Sequence, residues 1–413
     1  MRQLNNISSA FTATALREKT RGDRVIWALV VVLSLVSLLV VYSATNSLAY
    51  KLYKGNTFVY LFKQTLFISA GIIIIYFAHR VNYTVYSRVA RILFYLSIPL
   101  LIYTLQFGAN LNEANRWIKL PVINLTFQTS DLAKLALFMY LSRLLSKKQD
   151  VVKEFRKGFL PLLIPIVIIC GLIAPANLST ALLTGATSML LLFIGRANMK
   201  HLFVVALLVI VPLLVLIGLA SVYYNKEEGK MKQLPPVLNI MRVPTWIKRV
   251  QDFRYAAKDE APYQVQQAKI AVAKGGILGL GPGNSEQRNF LPHPYSDFIY
   301  AIIIEEYGLI GGAFIVFIYL VFLFRSIRLF RRCPYAFGAF LALALSFTLV
   351  IQAMTNMAVN VGLFPVTGVT LPLVSMGGSS FLFTCLSIGI ILSVARYVEE
   401  SEGSKHQQNE AAT

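Results

Sequence analysis

The chain has 413 residues, of which 56% are hydrophobic and only 14% are charged, yet its formal net charge is +20. Soluble globular domains carry about 25% charged residues, so these figures exclude a cytosolic enzyme, a disordered chain and a disulfide-stapled secreted domain. A soluble nucleic-acid-binding protein is excluded as well, because it would spread its basic residues over a polar surface. The composition indicates a polytopic, all-α integral membrane protein.

Ten segments are predicted to be membrane-spanning helices, because about 20 apolar residues are needed to cross the hydrocarbon layer. The fourth segment is the weakest, since Asp131, Lys134 and Arg143 interrupt it. It is included because it restores a consistent charge topology. The predicted spans are 25–45, 57–78, 90–106, 128–145, 158–175, 178–195, 200–223, 298–324, 336–363 and 373–395.

Lys and Arg residues are distributed very unequally among the predicted loops. The inner segments hold 22 of them, the short outer loops hold four, and the long outer loop 224–297 between the seventh and eighth spans holds eleven. Short cytoplasmic loops are enriched in Lys and Arg, whereas long loops escape this bias, so both termini are predicted to be cytoplasmic. The predicted organisation is a basic N-terminal segment (1–24), a transmembrane domain (25–396) and a C-terminal tail (397–413).

Asp297 stands at the outer mouth of the eighth predicted span. A carboxylate there can act as a general base if a substrate hydroxyl reaches it. An Asp at this point is equally suited to cap the helix N-terminus, where it complements the helix dipole. Glu305 and Glu306 follow on the same helix, and structural pairing explains two adjacent acids inside a span as well as catalysis does.

Two further pairs of residues also have alternative interpretations. Asp131 and Lys134 are three residues apart, so they can form an ion pair on one helix face or line a polar cavity. Arg116 and Trp117, on the loop before that span, suit phosphate recognition, but Trp and Arg are also ordinary interfacial anchors. Lys269 lies in a glutamine-rich, helix-like part of the long outer loop, where a solvated helix face is the simplest interpretation.

Two glycine-containing segments interrupt the apolar pattern. Residues 275–284 (GGILGLGPGN) are not a nucleotide-binding loop, because no strand precedes them and no Gly-Lys-Ser/Thr follows. They predict a tight loop that lets the backbone approach a helix or a lipid head group. Residues 362–380 (GLFPVTGVTLPLVSMGGSS) form a second break between spans, and their small residues permit close helix packing.

Five blocks occur in a specific order along the chain. They are NRWI (115–118), QTSDLAK (128–134), PANLST (175–180), the stretch 263–312 and the stretch 362–380. In this order the chain resembles the SEDS family (shape, elongation, division and sporulation) from about residue 25 to residue 396. The resemblance implies a ten-helix enzyme that polymerises lipid II into peptidoglycan glycan strands outside the membrane by inverting glycosyl transfer.

The resemblance also implies roles for individual residues. Asp297 matches the essential acid of the family and would take the proton from the 4-hydroxyl of the acceptor sugar. Cations must offset the charge that develops on the pyrophosphate leaving group; Mg²⁺ or Mn²⁺ is the one cofactor considered, although no carboxylate cluster dictates it. The acid of the fourth-span motif is an Asp here where the family has Glu, so its reach is shorter. The implied substrate-binding residues are Arg116, Trp117, Asp131, Lys134, Arg249, Gln264, Lys269 and Ser379.

Within the family, the long basic N-terminus and the segment SMGGSS (375–380) favour the division branch, FtsW. This branch predicts a multi-pass protein of the cytoplasmic membrane, enriched at the division septum. The expected partners are lipid II, the growing glycan strand, a class B penicillin-binding transpeptidase and other divisome proteins, and no nucleic acid. The alternatives are a lipid II flippase, an elongation-type (RodA-like) polymerase and a secondary transporter, the last disfavoured by the lack of sequence repeats and of broken midplane helices.

Overall fold

The computed structural model describes residues 22–46, 48, 50, 56–111, 114–120, 125–225, 230–231, 235, 242–255 and 263–412. Within these residues the chain forms a bundle of long helices with two small antiparallel sheets. The helices are α1 (Arg24–Ala44), α2 (Phe58–Arg80), α3 (Tyr83–Phe107), α4 (Thr129–Lys147), α5 (Leu160–Ile173), α6 (Leu178–Ile194), α7 (Met199–Val222), α8 (Val243–Arg254), α9 (Tyr263–Gly275), α10 (Ile299–Arg332), α11 (Ala336–Asn360) and α12 (Ser379–Ala412). The strands are β1 (Ala109–Leu111), β2 (Ala114–Leu120), β3 (Leu125–Gln128), β4 (Tyr224–Asn225) and β5 (Lys230–Met231).

The prediction of a helical multi-pass membrane protein is confirmed. Each of the ten predicted spans contains a helix, and eight helices among the described residues are long and apolar enough to cross a membrane. One of the eight is α5 together with the π-helical turn Phe155–Phe159 that leads into it. The helix α6 is apolar but has only 17 residues, and α4 carries Asp131 and Lys134. The count of ten spans therefore stays a prediction. The helices α8 and α9 lie within the predicted long outer loop.

Three details of the chain differ from the predictions. The helix α3 begins at Tyr83 rather than near residue 90, because the Asn82 side chain caps its N-terminus by accepting a hydrogen bond from the first turn. The helix α12 begins later than predicted, at Ser379. The connection between α3 and α4, predicted as a loop, contains a three-stranded antiparallel sheet in the order β1-β2-β3.

The helices α11 and α12 form the centre of the bundle. Buried residues make up 72% of the most apolar stretch of each, against 6% for α7, which lies at the periphery. Glycines let α2 approach α12 closely, since a Cβ built on Gly389 would lie 2.6 Å from the Cβ of Ala78. The segment 361–378 between the two central helices is therefore fixed at both ends by the best-packed part of the protein.

The helix α10 is broken at Gly308, whose φ of 68° and ψ of −172° are not helical. The glycine segment 276–281 fills the break, so that backbone groups on both sides of it find partners. Such groups cost several kcal/mol when they are left unpaired in a membrane. The predicted tight loop against a helix is confirmed, and α10 is broken where the loop meets it. The four hydrogen bonds run from Leu280 N to Glu305 O, Gly281 N to Glu306 O, Leu309 N to Gly276 O and Ile310 N to Ile277 O.

Replacing Gly279 by Ala is expected to destabilise the bundle. Gly279 has a φ of +83°, and an added Cβ would lie 2.2 Å from the carbonyl oxygen of Glu306, a backbone atom that cannot rotate away. Gly283 is the matched control, because its φ of +79° imposes similar strain while no described atom lies within 4 Å of an added Cβ. We expect Gly279→Ala to lower the free energy of unfolding by about 2–3 kcal/mol more than Gly283→Ala. Thermal unfolding in detergent measures the difference, and equal losses would contradict the backbone contact.

Candidate active site

The Asp297 carboxylate lies just before α10, half-buried, and faces the segment 361–378. Ser296 Oγ donates a hydrogen bond to Asp297 Oδ1 at 2.9 Å. A Cβ built on Gly368, whose φ is +65°, would lie 3.6 Å from Oδ2, so glycine keeps a side chain away from this oxygen. Burial raises the pKa of the neighbouring Tyr295 phenol, and the charge of Asp297 adds to that rise. The acid is thus held beside a turn that presents only backbone to it at this position.

Three consecutive carbonyl groups around the acid are anchored to other elements. These bonds fix the backbone on both sides of the Asp297 side chain, because each of the three peptide groups is held by a donor from α11 or from the segment that follows it. The donors are Met376 N to Tyr295 O at 2.9 Å, Ser375 Oγ to Ser296 O at 2.6 Å, and Asn356 Nδ2 and Asn360 Nδ2 to Asp297 O at 2.9 Å each.

The interpretation of Asp297 as the helix cap is wrong. The N-cap residue of α10 is Phe298, which has no capping side chain. The N–H of Ala301 in the first turn donates instead to Asn360 Oδ1 at 3.0 Å. Because an amide from α11 performs the capping, the Asp297 carboxylate is not needed for that purpose.

Sequence reasoning missed Gln352, Asn356 and Asn360. These residues are four apart, so they share one face of α11, and all three are buried, with exposed fractions of 8%, 1% and 0%. We refer to them as the amide ladder. The sequence does contain a signal for them, namely three amide side chains spaced four apart within an apolar span. Burying such polar groups in a membrane costs free energy unless they have hydrogen-bond partners.

Asp131 and Lys134 form an ion pair inside the bundle, with 2.8 Å between Asp131 Oδ1 and Lys134 Nζ. Lys134 also donates to Gln352 Oε1 at 3.3 Å, which connects the pair to the amide ladder. The pair borders a cavity of about 30 Å³, and Lys134 borders a second of about 20 Å³. Each has room for a water molecule. Asp131 Oδ2 has no hydrogen-bond partner among the described residues, so the two predicted interpretations, ion pair and cavity lining, both apply.

Trp117 and Ser379 both lie next to Gln128, the residue before α4. Trp117 lies half-buried in β2 opposite Gln128 of β3, and the Gln128 N–H donates to Ser379 Oγ at 3.1 Å. Since α4 starts at the next residue, Gln128 precedes the Asp131–Lys134 pair by less than two helical turns. Arg116 belongs to β2 as well, but its side chain lies outside the part that the structure describes.

A cavity of about 210 Å³ brings together Arg249 of α8 with Gln264 and Lys269 of α9. Residues 362–366 form another part of its wall. Lys269 is exposed, as expected for a solvated face of α9. Its alkyl chain nevertheless packs over Gly362, where an added Cβ would lie 2.9 Å from Lys269 Cε. The segment that lines this cavity continues to the glycine beside the acid. The structure therefore places two cations and the candidate base along one segment.

Asp252, which also lines this cavity, makes stability depend on pH. Burial raises the pKa of the Asp252 carboxyl above its ordinary value of 3.8, and Lys248 opposes the rise. A raised folded pKa contributes stability below the unfolded pKa, and this contribution is lost as the pH rises through the folded value. We expect Asp252→Asn to unfold at a higher temperature than the wild type at about pH 7, and at the same temperature at about pH 3, below the unfolded pKa of 3.8. Thermal unfolding at both pH values measures this; a lower unfolding temperature for the variant at about pH 7 would contradict it.

Glu305 and Glu306 have structural partners. Both side chains are buried, with exposed fractions of 0% and 1%. Glu305 accepts hydrogen bonds from Ser285 Oγ and from the N–H groups of Glu286 and Gln287. Glu306 accepts one from Ser43 Oγ of α1. The Glu305 bonds hold the segment that leads to Asp297 against α10, and the Glu306 bond holds α1 against the same helix. Both favour the structural interpretation over a catalytic one.

The described residues contain no group of three or more His, Cys, Asp or Glu side chains arranged to hold a metal ion. Mg²⁺ is commonly held by only one or two carboxylates together with substrate phosphates, so the expectation of Mg²⁺ or Mn²⁺ stays a prediction.

The geometry agrees with comparisons to known proteins. The family model described as cell cycle protein, which covers FtsW, RodA and SpoVE, matches residues 23–400. Stage V sporulation protein E of Bacillus subtilis is 33% identical over 388 residues, which cover 92% of this chain and 98% of the relative. The probable peptidoglycan glycosyltransferase FtsW of Trichlorobacter lovleyi is 32% identical over 378 residues, covering 90% and 93%.

Solved structures show the same fold. A chain from a peptidoglycan synthase complex superposes with a TM-score of 0.69 at 22% identity, covering 91% of this chain and 98% of that one. The rod shape determining protein RodA of Thermus thermophilus superposes with a TM-score of 0.63 at 21% identity, covering 91% and 97%. The chain therefore belongs to the FtsW, RodA and SpoVE family of cell cycle proteins, the SEDS family that its motifs resemble.

Proposed function

We propose that this chain is a peptidoglycan glycosyltransferase that polymerises lipid II into glycan strands. Relatives about 32% identical over nine-tenths of the chain carry the name of that activity. The observation that carries the proposal is the Asp297 carboxylate, whose backbone is anchored on both sides and which shares the segment 361–378 with the cavity of Arg249 and Lys269. A fixed acid beside a basic cavity is the arrangement that glycosyl transfer from a pyrophosphate donor needs.

In the proposed reaction, Asp297 accepts the proton of the acceptor sugar's 4-hydroxyl. The freed oxygen attacks the anomeric carbon of the donor, a new glycosidic bond forms, and the bond from that carbon to the pyrophosphate oxygen breaks. Polyprenyl pyrophosphate leaves with the electron pair. A single displacement of this kind inverts the anomeric configuration, and Asp297 returns its proton to solvent before the next transfer.

The cations have distinct proposed tasks. Arg249 and Lys269, which line the 210 Å³ cavity, would offset the charge developing on the pyrophosphate, and Gln264 would hydrogen-bond the same substrate. Lys134 would act deeper in the bundle. The remaining proposed substrate contacts are Arg116, Trp117, Asp131 and Ser379, of which Trp117, Asp131 and Ser379 lie around the start of α4.

We also propose the cellular setting. The excess of Lys and Arg in short inner loops supports cytoplasmic termini, with the transmembrane domain spanning 25–396 between a basic N-terminal segment and a C-terminal tail. Similarity to FtsW-named proteins supports a role in septal division at the cytoplasmic membrane. Fold similarity to a chain of a peptidoglycan synthase complex supports a class B penicillin-binding transpeptidase as partner, with other divisome proteins nearby.

A lipid II flippase is the second candidate function. The observation that favours it is the Asp131–Lys134 pair inside the bundle, next to two small cavities, because ionisable groups at membrane depth often line translocation pathways. The fold similarity to RodA keeps an elongation-type polymerase as an alternative with the same chemistry.

Reconstitution separates polymerase from flippase. The proteoliposomes contain the purified chain, its transpeptidase partner and fluorescent lipid II. Glycan polymer is detected on a gel, and lipid II translocation is detected by its accessibility to a membrane-impermeant quencher. Our proposal predicts polymer in the presence of the protein and no translocation above protein-free vesicles. Translocation without polymer would reverse the ranking.

A further inference from the structure

We propose that Asn356 and Asn360 are positioning residues for Asp297, and that Gln352 extends their network to the Asp131–Lys134 pair. The inference rests on the proposed function and deepens it, because it names the residues that set the geometry of the general base. None of these amides has a place in the proton transfer itself.

The two Asn side chains converge on one backbone carbonyl. Asn356 Nδ2 and Asn360 Nδ2 each donate to Asp297 O at 2.9 Å. Asn356 Nδ2 also donates to Val369 O at 2.7 Å, and Asn360 Oδ1 accepts from the N–H of Ala301 at 3.0 Å. The peptide group that carries the acid is therefore held by two donors at once, from two successive turns of α11.

Helix capping alone does not account for this arrangement. Capping of α10 uses only the acceptor of Asn360, its Oδ1, on the Ala301 amide. The donor groups of Asn356 and Asn360 both reach Asp297, a residue that precedes the helix. Asn356 Nδ2 donates to Val369 O as well, and Asn360 Nδ2 to Asn356 O. Burying an amide costs free energy when it has no hydrogen-bond partners. Two buried amides that donate to the same carbonyl therefore indicate that the location of that peptide group is important for the site.

The third amide connects this arrangement to the charged pair. Gln352 Nε2 donates to Thr370 O at 3.0 Å, and Gln352 Oε1 accepts from Lys134 Nζ at 3.3 Å. Val369 and Thr370 thus receive hydrogen bonds from adjacent members of the amide ladder. A shift of Lys134 toward a substrate would act on the ladder, and through it on the turn beside Asp297.

For the reaction, these hydrogen bonds set where the Asp297 carboxylate lies relative to the acceptor hydroxyl. Anchoring the carbonyls of residues 295–297 leaves the acid only its own side-chain torsions for reaching the acceptor hydroxyl. A displacement of about 1 Å in a catalytic group can reduce a rate about 100-fold. We therefore expect loss of a ladder donor to lower kcat for polymerisation about 10- to 100-fold, with KM for lipid II unchanged.

The test uses the full-length protein with its transpeptidase partner and lipid II. Asn360→Asp keeps an acceptor for Ala301 but offers no N–H to Asp297 when ionised. Asn356→Leu removes the two hydrogen bonds that Asn356 donates and the one that its Oδ1 accepts from Asn360. Thr355→Val is the matched control, since this buried neighbour on α11 donates within its own helix, to Ile351 O, and to no other described residue. Both ladder variants should lose kcat, and the control should retain it.

Epistasis with the base distinguishes positioning from folding. In an Asp297→Asn background, adding Asn356→Leu should lower the residual rate no further, because the positioned group is already absent. If the ladder variants keep wild-type kcat, or if their loss persists undiminished in the Asp297→Asn background, the inference is overturned. If either variant fails to fold, the milder Asn356→Ser takes its place under the same criteria.

Different results would overturn the general-base role of Asp297 and the positioning role of Asn356 and Asn360. Loss of polymerisation in Asp297→Asn together with wild-type kcat in the ladder variants overturns only this inference. Equal polymerisation by wild type and Asp297→Asn overturns the proposed base, and the positioning role with it.

Discussion

Asp297→Asn is expected to lower kcat for glycan polymerisation by about 10²- to 10⁴-fold, the range that general acid–base catalysis contributes. Asn has nearly the same shape as Asp, so it can still accept the hydrogen bond from Ser296. The backbone anchors at Asp297 O come from α11 and do not use the carboxylate. The substitution therefore removes the proton acceptor and leaves its surroundings in place. Initial rates with labelled lipid II, together with the unfolding temperature of each protein, measure the effect.

Glu286→Gln is the control for this prediction. Glu286 is another carboxylate in the segment between α9 and α10, but it is exposed and forms an ion pair with Lys274. Exposed ion pairs contribute about 1 kcal/mol or less, so this variant should polymerise at the wild-type rate. A comparable loss in both variants would mean that any charge change in this segment inhibits, which would count against a specific base.

Lys134→Met is expected to destabilise the protein by about 3–5 kcal/mol, because it leaves a buried carboxylate without its charge partner. Asp131 is only 6% exposed and its second oxygen has no hydrogen-bond partner among the described residues. Met fills a volume similar to that of the Lys alkyl chain, so the loss comes from the charge and not from a cavity. The unfolding temperature in detergent measures the effect; wild-type stability would show that the pair contributes little.

The double variant Asp131→Asn/Lys134→Met separates the structural role of the pair from a substrate contact. Replacing both members of a buried ion pair is often nearly neutral for stability, so the double variant should regain most of the lost stability. If Lys134 contacts substrate, the double variant polymerises slowly even though its stability has been regained. Recovery of activity along with stability would restrict the pair to a structural role.

The sequence predicted the parts of the fold that depend on local composition. Hydropathy predicted nine of the ten spans, since an apolar run of sufficient length has few alternatives in a membrane. Charge topology added the fourth, and each of the ten contains a helix. The close approach of segment 276–281 to a helix was also predictable, because its glycines permit it. Which helix it meets, and that α10 breaks at Gly308 to receive it, depends on pairing between distant residues that local patterns do not encode.

The candidate site was predicted less completely. The position of Asp297 followed from its motif, but the motif left it equally suited to capping α10. The structure resolves this because Asn360, about 60 residues further along the chain, caps the helix instead. The amide ladder itself was visible as Gln352, Asn356 and Asn360 within an apolar span, and only the partners of those amides required the structure.

Glycan synthesis by the purified protein tests directly whether the chain polymerises lipid II with Asp297 as its general base. The transpeptidase partner is present, with its own active site inactivated by substitution. Wild-type protein and Asp297→Asn are each supplied with labelled lipid II at equal folded concentration, and lipid II binding is measured in the same samples. We expect glycan strands from the wild type only, with lipid II bound equally by both. Equal strand synthesis by both proteins, or bound lipid II with no strands from the wild type, would contradict it.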